Sequence, residues 1–103
     1  KHKLNNLKVI LDYNKIQSYG KTTEVLNLEP LKDKWKSFGF DVTEINGHDI
    51  KKLIKNLNKF KKKKSSKPSI TICHTIKGKG FYFAENNPFW HHKTILQGKK
   101  LKI

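Results

Sequence analysis

The chain has 103 residues, which is enough for one domain with a modest core and too few for two. Its 23 basic residues are all lysines and outnumber 8 acidic residues, for a formal charge of +15. The lack of arginine argues against sequence-specific recognition of nucleic acid, which relies on bidentate guanidinium contacts. No segment approaches the roughly 18 apolar residues of a membrane span, so we expect a soluble protein.

Three short apolar runs predict β-strands. The first, LKVILD (residues 7–12), is almost continuously apolar, as expected of a strand covered on both faces. The second, FDVTEI (residues 40–45), alternates and is rich in β-branched residues, and SITICHT (residues 69–75) is the third. We expect the single cysteine, Cys73, to pack in this third strand as a small hydrophobic residue, in a reducing, cytoplasmic setting.

Apolar residues recur at helical spacing between these strands. The first such segment covers residues 28–38, with Pro30 in its first turn and Gly39 as its stop. The second covers residues 50–60, with Asp49 as N-cap, apolar side chains on one face and lysines on the other. The order β-α-β-α-β predicts an α/β fold with a three-layer parallel sheet. Two helices cannot cover three strands on both faces, so we expect this sheet to continue in residues outside this sequence.

Two of the predicted strands end in polar sequence. Ligands bind beyond the carboxyl ends of strands in open parallel sheets, so DYNKIQSYG (residues 12–20) and HTIKGKG (residues 74–80) are expected to face one crevice. Asn14 either donates an oxygen to a hard cation such as Mg²⁺ or only stabilises the turn. The glycines of KGKG either let the backbone approach a phosphate or form a flexible loop.

The histidines do not predict a zinc site. His91 and His92 follow ENNPFW, without a cysteine or third histidine at metal-ligand spacing. His91 is either a surface residue or a proton donor near a reacting group. We expect His48 and His74 to make structural hydrogen bonds.

The ordered set of motifs resembles the later part of the thiamine diphosphate-binding domain of transketolase. The set is LKVILDYNKIQSYG, GFDVTEINGHDI, HTIKGKG and ENNPFWH, and the similarity covers residues 3–93. It is similar above all to the split type of the family, whose N-terminal subunit is a separate chain. The resemblance implies that residues 1–103 are part of a thiamine diphosphate-binding domain, whose Gly-Asp-Gly segment would lie upstream.

The same resemblance implies roles for four residues. The side-chain oxygen of Asn14 and the carbonyl of Ile16 would bind the divalent cation, Mg²⁺ or Ca²⁺, that holds the diphosphate of the cofactor. Ile76 would pack beside the thiazolium ring. His91 would reach the diphosphate and a substrate oxygen, and would transfer a proton or stabilise charge.

The implied reaction is the transfer of a two-carbon ketol unit between sugar phosphates, as in pentose phosphate metabolism. The glutamate that activates the aminopyrimidine in this family belongs to a pyrimidine-binding domain or a C-terminal subunit. We therefore expect this chain to be inactive alone and to work within a homo- or hetero-oligomer. His92, where many relatives have glycine, and the tail KTILQGKKLKI depart from the family pattern.

Three other interpretations stay open at this point. A fragment of a deoxyxylulose phosphate synthase would share GHD and KGKG. A nucleic-acid or anionic-surface binder would use the basic segment DIKKLIKNLNKFKKKK, with binding that falls steeply as salt is added. A degenerate relic would have no activity.

Overall fold

The computed structural model describes residues 4–91. These residues form two compact units: the first contains residues 4–13 and 28–75, and the second contains residues 14–27 and 76–91. In chain order the elements are β1 (Lys8–Tyr13), β2 (Ile16–Gln17), β3 (Gly20–Lys21), α1 (Thr22–Val25), α2 (Leu31–Ser37), β4 (Asp41–Asn46), α3 (Ile50–Lys61), β5 (Ser69–His74) and a 3₁₀ turn (Pro88–Trp90).

The first unit is built on a parallel sheet with strand order β1-β5-β4. Ser69 pairs with Lys8 on one side and with Asp41 on the other, and this register continues to His74. The central strand, β5, is the most buried: Ile70 and Ile72 have no exposed surface. The predicted α/β class and parallel sheet are confirmed, and each strand begins within one residue of its predicted start.

The two longer helices lie on opposite faces of this sheet. Thr71 and Ile72 are neighbours in β5, so their side chains point to opposite faces. The Thr71 hydroxyl donates a hydrogen bond of 2.6 Å to Asn56 of α3. Ile72 packs in the core with Tyr13 and with Leu31 of α2. The arrangement is therefore the predicted three layers.

Helix α2 begins later than the predicted residue 28. Pro30 is the N-cap, with an extended ψ of 106°, so it precedes the helix, which starts at Leu31. A helical Glu29 is disfavoured as well, because it comes directly before a proline. The Glu29 carboxylate accepts hydrogen bonds from the Leu31 amide (3.0 Å) and the Tyr13 hydroxyl (2.7 Å), which ties the helix start to β1. Gly39, with φ of +88°, ends the helix as predicted.

Helix α3 follows its prediction closely. The Asp49 side chain accepts a hydrogen bond of 3.1 Å from the Lys52 amide, which confirms Asp49 as the N-cap. Ile50 and Ile54 on its apolar face remain 64% and 54% exposed to solvent. No helix in residues 4–91 is both long and apolar enough to cross a membrane.

The second unit contains elements that the sequence did not predict. β2 and β3 form a two-residue antiparallel hairpin, followed at once by the four-residue α1. Such short elements carry no recognisable periodicity. His92 and the tail of residues 93–103 lie outside the described residues.

Candidate functional site

All four residues assigned by resemblance belong to the second unit. Its two segments, residues 14–27 and 76–91, come after β1 and β5 respectively. The carboxyl ends of adjacent parallel strands meet at one edge of a sheet, which is the reason for expecting the two segments to meet. The structure joins them in one compact unit, which contains Asn14, Ile16, Ile76 and His91.

The turn at Asn14 is ordered by its own side chain. The Asn14 side-chain oxygen accepts a hydrogen bond of 2.9 Å from the Ile16 amide. Between them Lys15 has a φ of +63°, and its carbonyl accepts a hydrogen bond of 2.9 Å from the Thr22 amide. This is an Asx turn held in place by the hairpin that follows it. The Asn14 oxygen keeps a second lone pair for another partner.

The donor atoms of this turn suit a hard cation. An amide side-chain oxygen and a backbone carbonyl are ligands that Mg²⁺ and Ca²⁺ accept, whereas zinc prefers nitrogen and sulfur. Within residues 4–91 no group of three or more His, Cys, Asp or Glu side chains could hold a metal. In the described part of the chain, the Asn14 side-chain oxygen and the Ile16 carbonyl are two oxygen atoms of the kind that a hard cation accepts.

His91 is fixed at the end of the 3₁₀ turn. The Asn87 side chain caps this turn by accepting a hydrogen bond of 3.0 Å from the Phe89 amide. The His91 amide then donates to the Pro88 carbonyl at 3.0 Å. Trp90 packs on Phe83, with ring centroids 5.0 Å apart. The backbone that carries His91 is thus held by both hydrogen bonds and aromatic packing.

Ser18 contacts His91, and the sequence alone predicted no role for Ser18. Its hydroxyl lies 3.1 Å from Nε2 of His91, although the two residues are 73 positions apart in the chain. This contact joins the segment that carries Asn14 to the segment that carries His91. The order of motifs predicts that the two segments meet, but no local pattern in the sequence identifies Ser18 as the residue that contacts His91.

The glycines of KGKG close a loop. Gly78 has a φ of +74°, and a Cβ at this position would lie 2.5 Å from the carbonyl oxygen of Ala84. The Gly80 amide donates a hydrogen bond of 3.1 Å to the Glu85 side chain. Gly78 is therefore required by the close approach of residue 84, and the Gly80 amide is engaged within the loop. The structure gives these glycines a folding role and adds nothing to the phosphate interpretation.

Two residues outside the second unit behave as predicted. Nε2 of His74 lies 3.2 Å from a carboxylate oxygen of Glu44 on the adjacent strand, a structural contact. Cys73 is buried, and burial, together with the charge of Asp12, raises the pKa of its thiol. The Cys73 thiol therefore stays protonated at neutral pH and packs as a small hydrophobic group.

Comparison with known proteins gives one consistent family. Residues 1–100 match the family model described as "Transketolase, thiamine diphosphate binding domain". The chain is 41% identical over 102 residues to one subunit of the apulose-4-phosphate transketolase of Actinobacillus succinogenes, an alignment that covers 99% of this chain and 36% of that protein. It is 38% identical to the 6-deoxy-6-sulfo-D-fructose transketolase subunit SqwG of a Clostridium species, over 92% of this chain and 34% of that protein.

The fold comparison agrees with the sequence comparison. The crystal structure of transketolase from Campylobacter jejuni superposes with a TM-score of 0.78 at 37% identity, over 87% of this chain and 14% of that one. The chain spans about a third of the length of the curated relatives given above. A parallel α/β sheet, the ordered motifs and a family match over residues 1–100 together show that this chain belongs to the transketolase family, in its thiamine diphosphate-binding domain.

Proposed function

We propose that this chain supplies part of the thiamine diphosphate and cation site of a split-type transketolase. The complete protein would transfer a two-carbon ketol unit between sugar phosphates. The observation that carries the proposal is that Asn14, Ile16, Ile76 and His91 share one compact unit, in a chain of this family. Proximity in sequence does not bring these residues together, because 59 positions lie between Ile16 and Ile76.

The Asx turn would hold the cation. Its hydrogen bond to the Ile16 amide fixes the Asn14 side chain, so that the second lone pair of the oxygen is oriented before the ion arrives. The Ile16 carbonyl would add a second oxygen ligand of the same hard type. The cation would be Mg²⁺ or Ca²⁺ and would neutralise the diphosphate.

Ile76 and His91 would contact the cofactor and the substrate. Thiamine diphosphate, when bound, supplies the electron sink for breaking a carbon–carbon bond. Ile76 would provide an apolar contact for its thiazolium ring. His91 would hold or release a proton at Nε2, the atom that already lies 3.1 Å from the Ser18 hydroxyl.

The substrates and partners are proposed from the relatives. Proteins named for apulose-4-phosphate and for 6-deoxy-6-sulfo-D-fructose are both subunits of transketolases, so the sugar differs within the family. We expect a phosphorylated sugar as substrate for the complete protein containing this chain. We also expect a pyrimidine-binding partner subunit, an oligomeric assembly and a cytoplasmic location.

A chimera tests the cation and cofactor site directly. Residues 1–100 would replace the matching segment of the Actinobacillus succinogenes relative, and thiamine diphosphate binding would be measured by calorimetry with Mg²⁺ and with EDTA. We expect binding that depends on Mg²⁺ and weakens at least about 10-fold in Asn14→Ala, because loss of even an outer-shell partner of a metal ligand costs about 10- to 100-fold. Ketol transfer would then be measured after adding the partner subunit of that relative.

The matched control is Asn5→Ala, which makes the same chemical change at an exposed turn outside the second unit. This variant should keep the affinity of the parent chimera. Equal affinity in the Asn14 and Asn5 variants, or equal binding with EDTA, would contradict the proposed site.

A further inference from the structure

A cavity lies at the amino ends of the three strands of the parallel sheet. It has a volume of 350 Å³, within the usual range of small-ligand pockets. Its lining includes Asp41 and Ser69, the first residues of β4 and β5, and four lysines at positions 8, 59, 62 and 63. Asp41 is the only carboxylate in the described lining of this cavity, which we call the lysine cavity.

A polar network lies at the base of the lysine cavity. The Lys8 ammonium donates a hydrogen bond to the Thr71 hydroxyl, and this hydroxyl donates to the Asn56 side-chain oxygen at 2.6 Å. Thr71 is only 1% exposed. Every buried side-chain nitrogen and oxygen of the described residues has a hydrogen-bond partner, so the network itself is satisfied. Two of its members, Lys8 and Asn56, also line the lysine cavity.

The direction of these hydrogen bonds determines what the cavity can bind. Because Asn56 accepts through its oxygen, its amide nitrogen presents two N–H donors. Lys8 uses one of its three donors on Thr71. Lys8 and Asn56 thus keep several unused N–H donors, which suit a ligand with several acceptor oxygens, while the Asn56 oxygen keeps one lone pair.

The charge of Lys8 is not balanced within the described residues. Lys63 is paired with Asp41 at 2.8 Å, but no carboxylate of residues 4–91 forms an ion pair with Lys8. The Lys8 ammonium instead lies 5.6 Å from the centroid of the Phe60 ring. Partial burial, and secondly the charge of Lys63, lower the pKa of Lys8. A partly buried ammonium without a counter-charge is costly, and a bound anion would remove that cost.

We propose that the lysine cavity binds a small oxyanion of the phosphate type. Lys8 and Asn56 donate to its oxygens, and Lys59 and Lys62 add positive charge from the exposed end of α3. Lys63 contributes only the electrostatic attraction of its positive charge and no hydrogen bond. Its ammonium already donates to Asp41, to Ser69 and to the Lys67 carbonyl. Charge-assisted hydrogen bonds of this kind are the strong ones in proteins.

The test is a titration of the full chain with inorganic phosphate, followed by amide chemical shifts in NMR spectra, at an ionic strength held constant with sodium chloride. We expect saturable shifts centred on Thr71 and Asn56. Lys8→Gln should weaken phosphate binding about tenfold, as expected for the loss of a charge-assisted hydrogen bond. Lys59→Gln changes an exposed residue and leaves the network intact, so it should weaken phosphate binding only about threefold. This second variant tests the proposal even if Lys8→Gln fails to fold.

The matched control is Lys36→Gln, which removes one positive charge from an exposed position on α2. It should leave phosphate affinity unchanged. Glycerol phosphate in the same titration shows whether the ligand is a phosphate ester or free phosphate. If it binds at least as tightly as inorganic phosphate, the ligand is a phosphate ester, and if it binds more weakly, the ligand is free phosphate. Three results would overturn the proposal. The chemical shifts could rise with phosphate without saturating, or Lys36→Gln could weaken phosphate binding as much as Lys8→Gln does. Shifts could also appear with single-stranded RNA but not with phosphate.

Discussion

At the scale of single residues, Gly47 shows how closely the chain packs at the end of β4. A Cβ at this position would lie 2.5 Å from a methyl carbon of Thr75 and 2.9 Å from the Cβ of Cys73. Cys73 belongs to β5, and Thr75 directly follows this strand. The position excludes every side chain, although its backbone φ is not in the left-handed region.

We therefore expect Gly47→Ala to lower the free energy of unfolding by about 2 kcal/mol, the usual cost of overpacking. The measurement is urea denaturation followed by circular dichroism. Gly20→Ala is the control, because a Cβ there would meet its neighbours at 3.6 Å or more. A loss in the control as large as that in Gly47→Ala would show that the clash is not the cause.

At the scale of elements, Lys63 joins the end of α3 to the starts of two strands. Its ammonium lies 2.8 Å from Asp41, the first residue of β4, and donates to the Ser69 hydroxyl, at the start of β5. Hydrogen bonds from Lys63 and then Ser65 lower the pKa of the Asp41 carboxyl. The folded state thus stabilises the charged form of Asp41.

The pH dependence follows from the sign of this shift. A carboxyl whose pKa is lower in the folded state stabilises the fold above its unfolded pKa, and this contribution is lost as the pH falls through the folded pKa. The unfolded value is 3.8, so the loss occurs below about pH 4 to 5. Because the Asp41 side chain is 43% exposed, solvent screening keeps the contribution to about 0.5 kcal/mol.

Asp41→Asn should therefore flatten the acid limb of a plot of unfolding free energy against pH, when both proteins are measured from pH 7 to pH 3. Asp33→Asn, which changes an exposed carboxyl on α2 and leaves the Lys63 pair intact, should retain the limb of the parent. A parent and an Asp41 variant with the same acid limb would disprove this role for the pair.

At the scale of the whole molecule, the charge of +15 dominates. Like charges at this density repel one another and oppose the compact state, and added salt screens this repulsion within about 10 Å at 0.1 M. We expect the melting temperature to rise by about 3 °C between 20 and 300 mM sodium chloride, a shift of the size that less than 1 kcal/mol produces. Potassium chloride should give the same rise. A melting temperature that falls or stays constant would show that ion pairs outweigh the repulsion.

Most of the fold could be predicted, because the strands and long helices carry their own periodicity. The alternation of FDVTEI and the lysine face of residues 50–60 located β4 and α3 within a residue. The strand order could not be predicted in the same way, since the pairing of parallel strands is decided by contacts distant in sequence. The same holds for the contact between Ser18 and His91, and for the network from Lys8 to Asn56. These features depend on residues that only the folded chain brings together.

The position of β5 has a consequence for synthesis on the ribosome. Among the three described strands of the parallel sheet, β5 is the last to be made, and it is the strand that pairs with both β1 and β4. Until residues 69–74 have emerged, β1 and β4 have no partner among the described strands of this sheet, and the sides that β5 will cover expose unpaired backbone groups. Such edges are prone to aggregate, and long-range parallel pairing forms slowly. A nascent chain stalled before Ser69 should therefore depend on chaperones to a degree that the finished chain does not.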